Sequence, residues 1–186
     1  MNETYLALEA LLTRYLNLFQ ASEKGLPYVE FEQAWPSNCV IEAGNSKSSY
    51  FWKPLKRAQN FSFSDLEKAL ELSFHPDIVT FYGSFWSNGI CVERQDINFN
   101  LIQLWNEEDE QLLKANLLGH AFAKIKSKLP LSFFIGCTHG DEIICLEQDS
   151  GNIVLEKPGY QGHRVLANNL ETFLIGLQPT TDNYTG

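Results

Sequence analysis

Cysteine and histidine, four of each, are the residues of this 186-residue sequence that could supply a nucleophile or a soft metal ligand. The closest grouping is Cys137-Thr138-His139, with Cys145 a few positions later, and a hairpin turn would bring these side chains together. Zinc requires three or four ligands in tetrahedral geometry, and a Cys-x-His at a strand end is more often incidental. We therefore predict no metal site, and we expect His120 to lie beside the core on a helix.

The sequence lacks the common catalytic and nucleotide-binding motifs. GxxxxGK[ST] and GxGxxG are absent, so no glycine-rich loop is placed to hold a phosphate. GxSxG and HExxH are absent as well. The carboxylates cluster where an exposed helix is expected to begin, which does not suggest a paired general acid and base. We predict a non-enzymatic protein without a cofactor, and an enzyme that uses Cys137 and His139 stays as a third hypothesis.

Acidic residues are concentrated between positions 93 and 110. This segment has six acids and one base, a net charge of −5 within a chain total of −9. One interpretation is a solvated helix N-terminus, where negative charge complements the helix dipole. The other is an acidic surface for a basic partner, with a tryptophan (Trp105, or Trp86) as an aromatic anchor unless it lies in the core. The predicted partner-binding residues are Glu93, Asp96, Glu107, Glu108, Asp109, Glu110 and Trp105.

Charge and composition limit the class of partner. A net charge of −9 disfavours nucleic acid and anionic lipid, both of which attract clustered lysine and arginine. The first residues have no basic stretch before a short apolar run, and no segment approaches 18 uncharged apolar residues. We therefore expect a cytoplasmic protein that does not insert into lipid. Because no apolar surface patch is obvious, we also expect a monomer.

Hydrophobic spacing and turn signals predict the elements that would position these residues. Four helices are predicted: 3–20, 64–73, one that Asn106 opens and Pro130 stops, and one between Asn168 and Pro179. The predicted strands are 39–43, 49–52, 78–85, 89–93, 97–104, 131–137, 142–147 and one from Ile153. Most segments between consecutive predicted strands are too short for the crossover connection that parallel strands require, which favours antiparallel pairing. We predict an α+β fold, a mainly antiparallel mixed sheet with helices packed against it, as one domain over 1–179 with a frayed tail over 180–186.

Several segments resemble the Syd family of bacterial proteins. They include residues 81–120, FYGSFWSNGICVERQDINFNLIQLWNEEDEQLLKANLLGH, and the shorter PSNCVIEAG, LPLSFFIG and LANNLETFLIGLQP. The similar segments occur in order along nearly the whole chain, whereas CTHGDE (137–142) matches the family pattern poorly. This difference argues against a family role for Cys137 or His139.

The resemblance implies a cytoplasmic protein that is loosely held at the inner membrane through SecY, a subunit of the protein translocase. It implies an acidic concave surface that meets basic cytoplasmic loops of SecY, and a role in sensing abnormal or unassembled SecY or in restraining translocation. It also implies a fold like that of the Smi1/Knr4 superfamily, which includes immunity proteins. An immunity-type protein that neutralises a basic toxin is therefore the alternative function.

Overall fold

The computed structural model describes residues 2–30, 32–43, 49–58 and 61–182. Within these ranges, no helix combines the length and apolar character that crossing a bilayer requires. The helices are α1 (Glu3–Ala21), α2 (Ser64–Leu70), α3 (Pro76–Gly83), α4 (Glu107–Lys126) and α5 (Leu170–Ile175). The strands are β1 (Tyr28–Glu30), β2 (Val40–Ala43), β3 (Ser49–Trp52), β4 (Leu55–Lys56), β5 (Phe85–Trp86), β6 (Ile90–Arg94), β7 (Ile97–Leu101), β8 (Ser132–Thr138), β9 (Ile143–Glu147), β10 (Ile153–Glu156), β11 (Arg164–Ala167) and β12 (Gln178–Pro179).

A seven-stranded sheet forms the centre of the molecule, in the order β11-β10-β9-β8-β7-β6-β12. Each pair of neighbours in it is antiparallel. The other strands form a three-stranded sheet, β1-β3-β2, and the pair β4-β5. Helices and mainly antiparallel sheets in one fold confirm the α+β class. The strands predicted over 39–43 and 49–52 are confirmed as β2 and β3, which pair antiparallel. Residues 44–48, which connect them, lie outside the described residues.

The predicted strand over 78–85 is wrong, because α3 occupies Pro76–Gly83. His75 caps this helix by accepting a hydrogen bond from the Asp77 backbone N–H, and proline fits the first turn. The buried residues Ile78, Phe81 and Tyr82 are three and four positions apart, which is the spacing of one helix face. The segment is apolar nearly throughout, so a strand and a buried helix could not be distinguished by composition. Asn88-Gly89, a dipeptide typical of hairpin turns, connects β5 to β6, but these two strands lie in different sheets and do not form a hairpin.

The C-terminal segment also differs from the prediction. Asn169, one residue after the predicted Asn168, caps α5 by accepting a hydrogen bond from the Thr172 backbone N–H. The chain then adds β12 to the edge of the sheet beside β6. The Thr180 backbone N–H donates to the Cys91 carbonyl at 3.0 Å, so the first residue of the predicted frayed tail is bound to the sheet. Residues 183–186 lie outside the described residues.

Helix α1 joins the terminal elements to the core. The guanidinium of Arg14 donates to the carbonyls of Leu174 and Ile175 at 3.1 and 3.2 Å, which satisfies the C-terminal end of α5. At the other end of α1, the Thr4 hydroxyl donates to the Asp77 carboxylate at 2.6 Å. These contacts hold α1 against both α3 and α5.

A buried carboxylate attaches α4 to the sheet. Glu156 on β10 is fully buried, and its Oε2 accepts hydrogen bonds from Lys124 Nζ at 2.8 Å and from Ser132 Oγ at 2.9 Å. His120 Nε2 lies 3.3 Å from Oε1, so the expectation that His120 lies beside the core is confirmed. Burial alone would raise the pKa of Glu156, but the contacts with His120, Lys124 and Ser132 outweigh it and lower that pKa. We call these four residues the Glu156 cluster.

We expect Lys124→Met to lower the free energy of unfolding by about 3–5 kcal/mol, because it leaves Glu156 buried without its main counter-charge. Urea denaturation measures this change. Lys68→Met is the matched control, since Lys68 lies exposed on α2, and it should change stability by less than about 1 kcal/mol. Equal losses in the two variants would show that the buried ion pair is not what holds α4 in place.

The Glu156 cluster also predicts a pH dependence. The pKa of Glu156 is lower in the folded protein than the ordinary value of 4.5, so its stabilisation is present above pH 4.5 and is lost as the pH falls through the folded-state pKa. We expect the difference in unfolding free energy between wild type and Glu156→Gln to shrink below pH 4.5. The exposed Glu23→Gln is the control. The prediction would be contradicted if the difference in unfolding free energy between wild type and Glu156→Gln stayed constant down to the pH of acid unfolding.

Candidate protein-binding site

The start of α4 is held in place by hydrogen bonds to the loop before β2. Asn106 caps the helix by accepting from the Asp109 backbone N–H at 2.9 Å, and its Nδ2 donates to the Pro36 carbonyl at 3.0 Å. The Asp109 carboxylate accepts from the Trp105 backbone N–H at 2.9 Å and from the Trp35 indole N–H at 3.2 Å. Burial is the main influence on Asp109 and raises the pKa of its carboxyl. Asp109 is therefore a structural residue that fixes the direction of the helix.

A groove of about 490 Å³ lies beside this helix start. Its walls come from β4, from the end of β5 and from the first turns of α4. Both acidic lining residues, Glu107 and Glu110, were predicted from the sequence, whereas the basic ones, Lys56 and Arg57, were not. The lining residues are Asn38, Leu55, Lys56, Arg57, Ala58, Trp86, Glu107, Glu110 and Gln111.

Arg57 neutralises one of the predicted acids from inside the groove. Its Nη2 lies 2.6 Å from Glu110 Oε2, and Lys114 Nζ lies 2.9 Å from the other oxygen of the same carboxylate. The guanidinium carbon of Arg57 also lies 3.6 Å from the centroid of the Trp86 ring, a cation–π contact. Burial would raise the pKa of Glu110, but its bonds to Lys114 and Arg57 prevail and lower it. Glu110 therefore stays charged at neutral pH, and its charge is matched within the chain.

Glu107 and Glu108 are the two members of the predicted acidic set that lie exposed at the start of α4. Glu107 also lines the groove. The sequence analysis missed a third acid, Glu32, which is exposed and whose carbonyl accepts a hydrogen bond from the Trp35 backbone N–H. Since Trp35 bonds to Asp109, this loop lies against the start of α4. The bond between Trp35 and Asp109 joins residues 74 positions apart, which spacing in the sequence could not indicate.

The remaining two acids, Glu93 and Asp96, lie elsewhere. Both are exposed near the turn that joins β6 to β7. The chain must cross the sheet along β7 before it reaches α4, a length of about 16 Å for five residues of strand. Asp96 also pairs with Arg164 at 3.0 Å. The acidic run in the sequence is thus divided between the two ends of a strand.

Trp105 is buried in the core. Its indole N–H donates to the Trp35 carbonyl at 3.1 Å, and its ring meets the Trp52 ring edge-on with centroids 5.8 Å apart. Trp86, the other tryptophan considered from the sequence, is half-buried and lines the groove. Trp105 therefore positions the helix start, and Trp86 offers an aromatic surface to a ligand.

The thiols are in surroundings that suppress nucleophilic chemistry. Cys39, Cys91 and Cys145 are buried, and Cys137 is half-buried. Burial raises the pKa of the Cys137 thiol and, with nearby charges, raises that of Cys91 to about 11. A thiol becomes reactive when its pKa is lowered toward neutrality. His139 is exposed in the turn after β8 and does not change this environment.

One group of side chains within the described residues has the composition of a metal site. The ligand atoms of His120, Cys145 and Glu156 all lie within 4.8 Å of one another. However, the Lys124 ammonium lies 2.8 Å from the same carboxylate. A divalent cation there would be repelled by this fixed positive charge. The geometry therefore favours an ion-pair cluster that holds α4 to the sheet.

Comparison with known proteins gives a family match over nearly the whole chain. The family model described as "Syd protein (SUKH-2)" matches residues 5–179. Protein Syd of Hahella chejuensis (strain KCTC 2396) is 41% identical over 150 residues, which cover 81% of this chain and 78% of that protein. Protein Syd of Pectobacterium carotovorum subsp. carotovorum (strain PC1) is 31% identical over 179 residues, which cover 96% of this chain and 97% of that protein.

We expect Asn106→Ala to lower the free energy of unfolding by about 1–2 kcal/mol, because it removes the N-cap of α4. The bond to the Pro36 carbonyl is lost as well. Thermal or urea denaturation measures the change. Asn116→Ala is the matched control, since Asn116 is exposed within the same helix, and alanine there should leave stability equal or slightly higher. A loss of the same size at both positions would contradict a capping role.

Proposed function

Because this chain belongs to the Syd family, we propose that it is a non-enzymatic protein-binding regulator that interacts with SecY at the cytoplasmic face of the inner membrane. The proposed surface is the start of α4 with the adjoining groove. The proposal is supported most directly by the exposed carboxylates of Glu107 and Glu108, which stand on a helix start that is fixed by Asn106 and Asp109.

Electrostatics supports a basic loop as the ligand of this surface. Cytoplasmic loops of membrane proteins carry an excess of lysine and arginine. The anionic lipid around such loops repels a chain with a net charge of −9. The protein would thus reach the membrane through its partner and not through the lipid. Long-range attraction of this kind sets the encounter rate and the orientation of binding more than the final affinity.

The groove offers the short-range contacts that affinity requires. Trp86 presents part of its ring, and Arg57 holds that ring from one side at 3.6 Å. An apolar or long basic side chain of the partner can pack on the exposed part of Trp86 while its loop contacts Glu107. Aromatic residues in such pockets often dominate binding energy. We therefore propose Trp86 as the anchor and Trp105 as the residue that positions the surface.

A regulatory role follows from binding without catalysis. Burial raises the pKa of the Cys137 and Cys145 thiols, and Glu156 is paired with Lys124, so these groups are poorly suited to act as a nucleophile or a general base. A protein that occupies the cytoplasmic loops of SecY can sequester or monitor uncomplexed or abnormal SecY. It can also restrain translocation by blocking other proteins that use those loops. Its location would be the cytoplasm, in loose association with the inner membrane.

We expect the purified protein to co-sediment with SecY-containing vesicles and not with SecY-free vesicles of the same lipids. Binding should weaken at high salt, because the Debye length falls from about 10 Å at 0.1 M to about 3 Å at 1 M. Binding to both kinds of vesicle would contradict a SecY-dependent association. If neither is bound and a basic toxin co-purifies with the protein, the immunity-type function is favoured.

The double variant Glu107→Lys/Glu108→Lys should weaken SecY binding by about tenfold or more at low salt, because it reverses the charge that attracts the basic loops. Its free energy of unfolding should fall by about 1–3 kcal/mol, because each reversal replaces a favourable interaction with the helix dipole by an unfavourable one, so binding is compared at a temperature where both proteins are folded. The control is Glu23→Lys/Glu71→Lys, which makes the same charge change at exposed positions away from the groove. Glu93→Lys/Asp96→Lys makes it at the other end of β7. If this last variant weakens binding and the first does not, the contact surface lies at the β6–β7 turn.

A further inference from the structure

The outer face of α4 carries a regular row of exposed side chains, which we call the outer ridge. Two of them are large and apolar: Leu112 is 53% exposed and Phe122 is 50% exposed. The steps between successive members alternate between four and three residues, which is the spacing of a coiled-coil seam. Other elements of the described structure cover the opposite face, where Leu113, Leu117 and Ala121 are buried. The outer ridge consists of Glu108, Leu112, Ala115, Gly119, Phe122 and Lys126.

The outer ridge is symmetric about Leu117. Ala115 and Gly119 lie two positions to either side of it, and Leu112 and Phe122 lie five positions away. Glu108 and Lys126 lie nine positions away at opposite ends. If two copies of α4 packed antiparallel about a twofold axis at this point, each residue would therefore meet its counterpart. Leu112 would meet Phe122, and Glu108 would meet Lys126.

Gly119 gives an independent indication that something approaches this face. Glycine destabilises a helix interior relative to alanine, so its presence needs a reason. A Cβ atom added at Gly119 would meet nothing within 4 Å. The packing of the chain on itself therefore does not require glycine there. Gly119 and Ala115 have the smallest side chains of the outer ridge, so the backbone of a second helix could come closest at these two residues.

We propose that the outer ridge of α4 mediates a weak, twofold-symmetric homodimer. A second copy fits because the ridge is complementary to itself in both shape and charge, as an isologous contact requires. Two chains of charge −9 repel each other, and the two Glu108–Lys126 pairs supply a local attraction that opposes this repulsion. An interface made of one helix from each chain buries a total surface area at the low end for specific interfaces, below roughly 1,200 Å². The dimer therefore forms only at elevated protein concentration, which differs from the monomer expected from the sequence.

Sedimentation velocity of the full chain, from low to several hundred micromolar, tests this proposal. We expect the wild-type sedimentation coefficient to rise with concentration. Glu108→Lys and Lys126→Glu should each weaken self-association about tenfold or more, because each places like charges opposite one another at both ends of the dimer. An equimolar mixture of the two variants should regain association, because a heterodimer restores both opposite-charge pairs.

A further variant, Gly119→Gln, separates an interface from a merely exposed helix face. Glutamine favours helix more than glycine does, so the melting temperature at low concentration should rise. Self-association should be lost, because the longer side chain keeps the second helix away. A wild type that stays monomeric at every concentration overturns the proposal. So does a Gly119→Gln variant that associates like wild type, or a mixture that fails to regain association. No SecY is present, so the result is independent of the proposed function.

Discussion

The burial of one carboxylate, that of Glu156, is the constraint on which the placement of α4 depends. An ionised carboxylate is very costly to bury unless charged and polar groups surround it. Lys124 and His120 come from α4 and Ser132 comes from β8, so the requirement fixes the C-terminal half of the helix over the sheet. Removing one partner of a buried ion pair destabilises a protein by more than the intact pair stabilises it. The helix therefore has one position on the sheet that satisfies Glu156.

The N-terminal half of α4 is fixed by a second set of polar contacts. Asn106 and Asp109 bind the loop around Trp35 and Pro36, and Arg57, the residue after β4, binds Glu110. A helix held at both ends presents its remaining sides to solvent in a defined direction. One flank forms the wall of the groove and the outer side forms the ridge. Both proposed interaction surfaces thus follow from how the buried side of one helix is held.

Local signals made α4 predictable from the sequence, whereas the site depended on contacts between distant residues. Asn106, the acids after it and Pro130 mark the helix through interactions within one turn. Arg57 and Glu110 are 53 positions apart, and no local pattern shows that they pair. The acids between Glu93 and Glu110 form two groups, at 93–96 and 107–110, and β7 separates these groups in space. Likewise the sequence predicts a strand where α3 lies, because an apolar run lacks the polar positions that reveal a period.

The two proposed surfaces share Glu108, and this overlap has a thermodynamic consequence. In the proposed dimer each Glu108 faces Lys126 of the second copy, whereas binding to a basic loop requires the same carboxylate to be free. A carboxylate that is paired in one complex contributes less to the other, so the two equilibria oppose each other. By linkage, a partner that binds the monomer preferentially shifts the population away from the dimer. Glu107 lies on the groove side of the helix, outside the ridge, and is not subject to this competition.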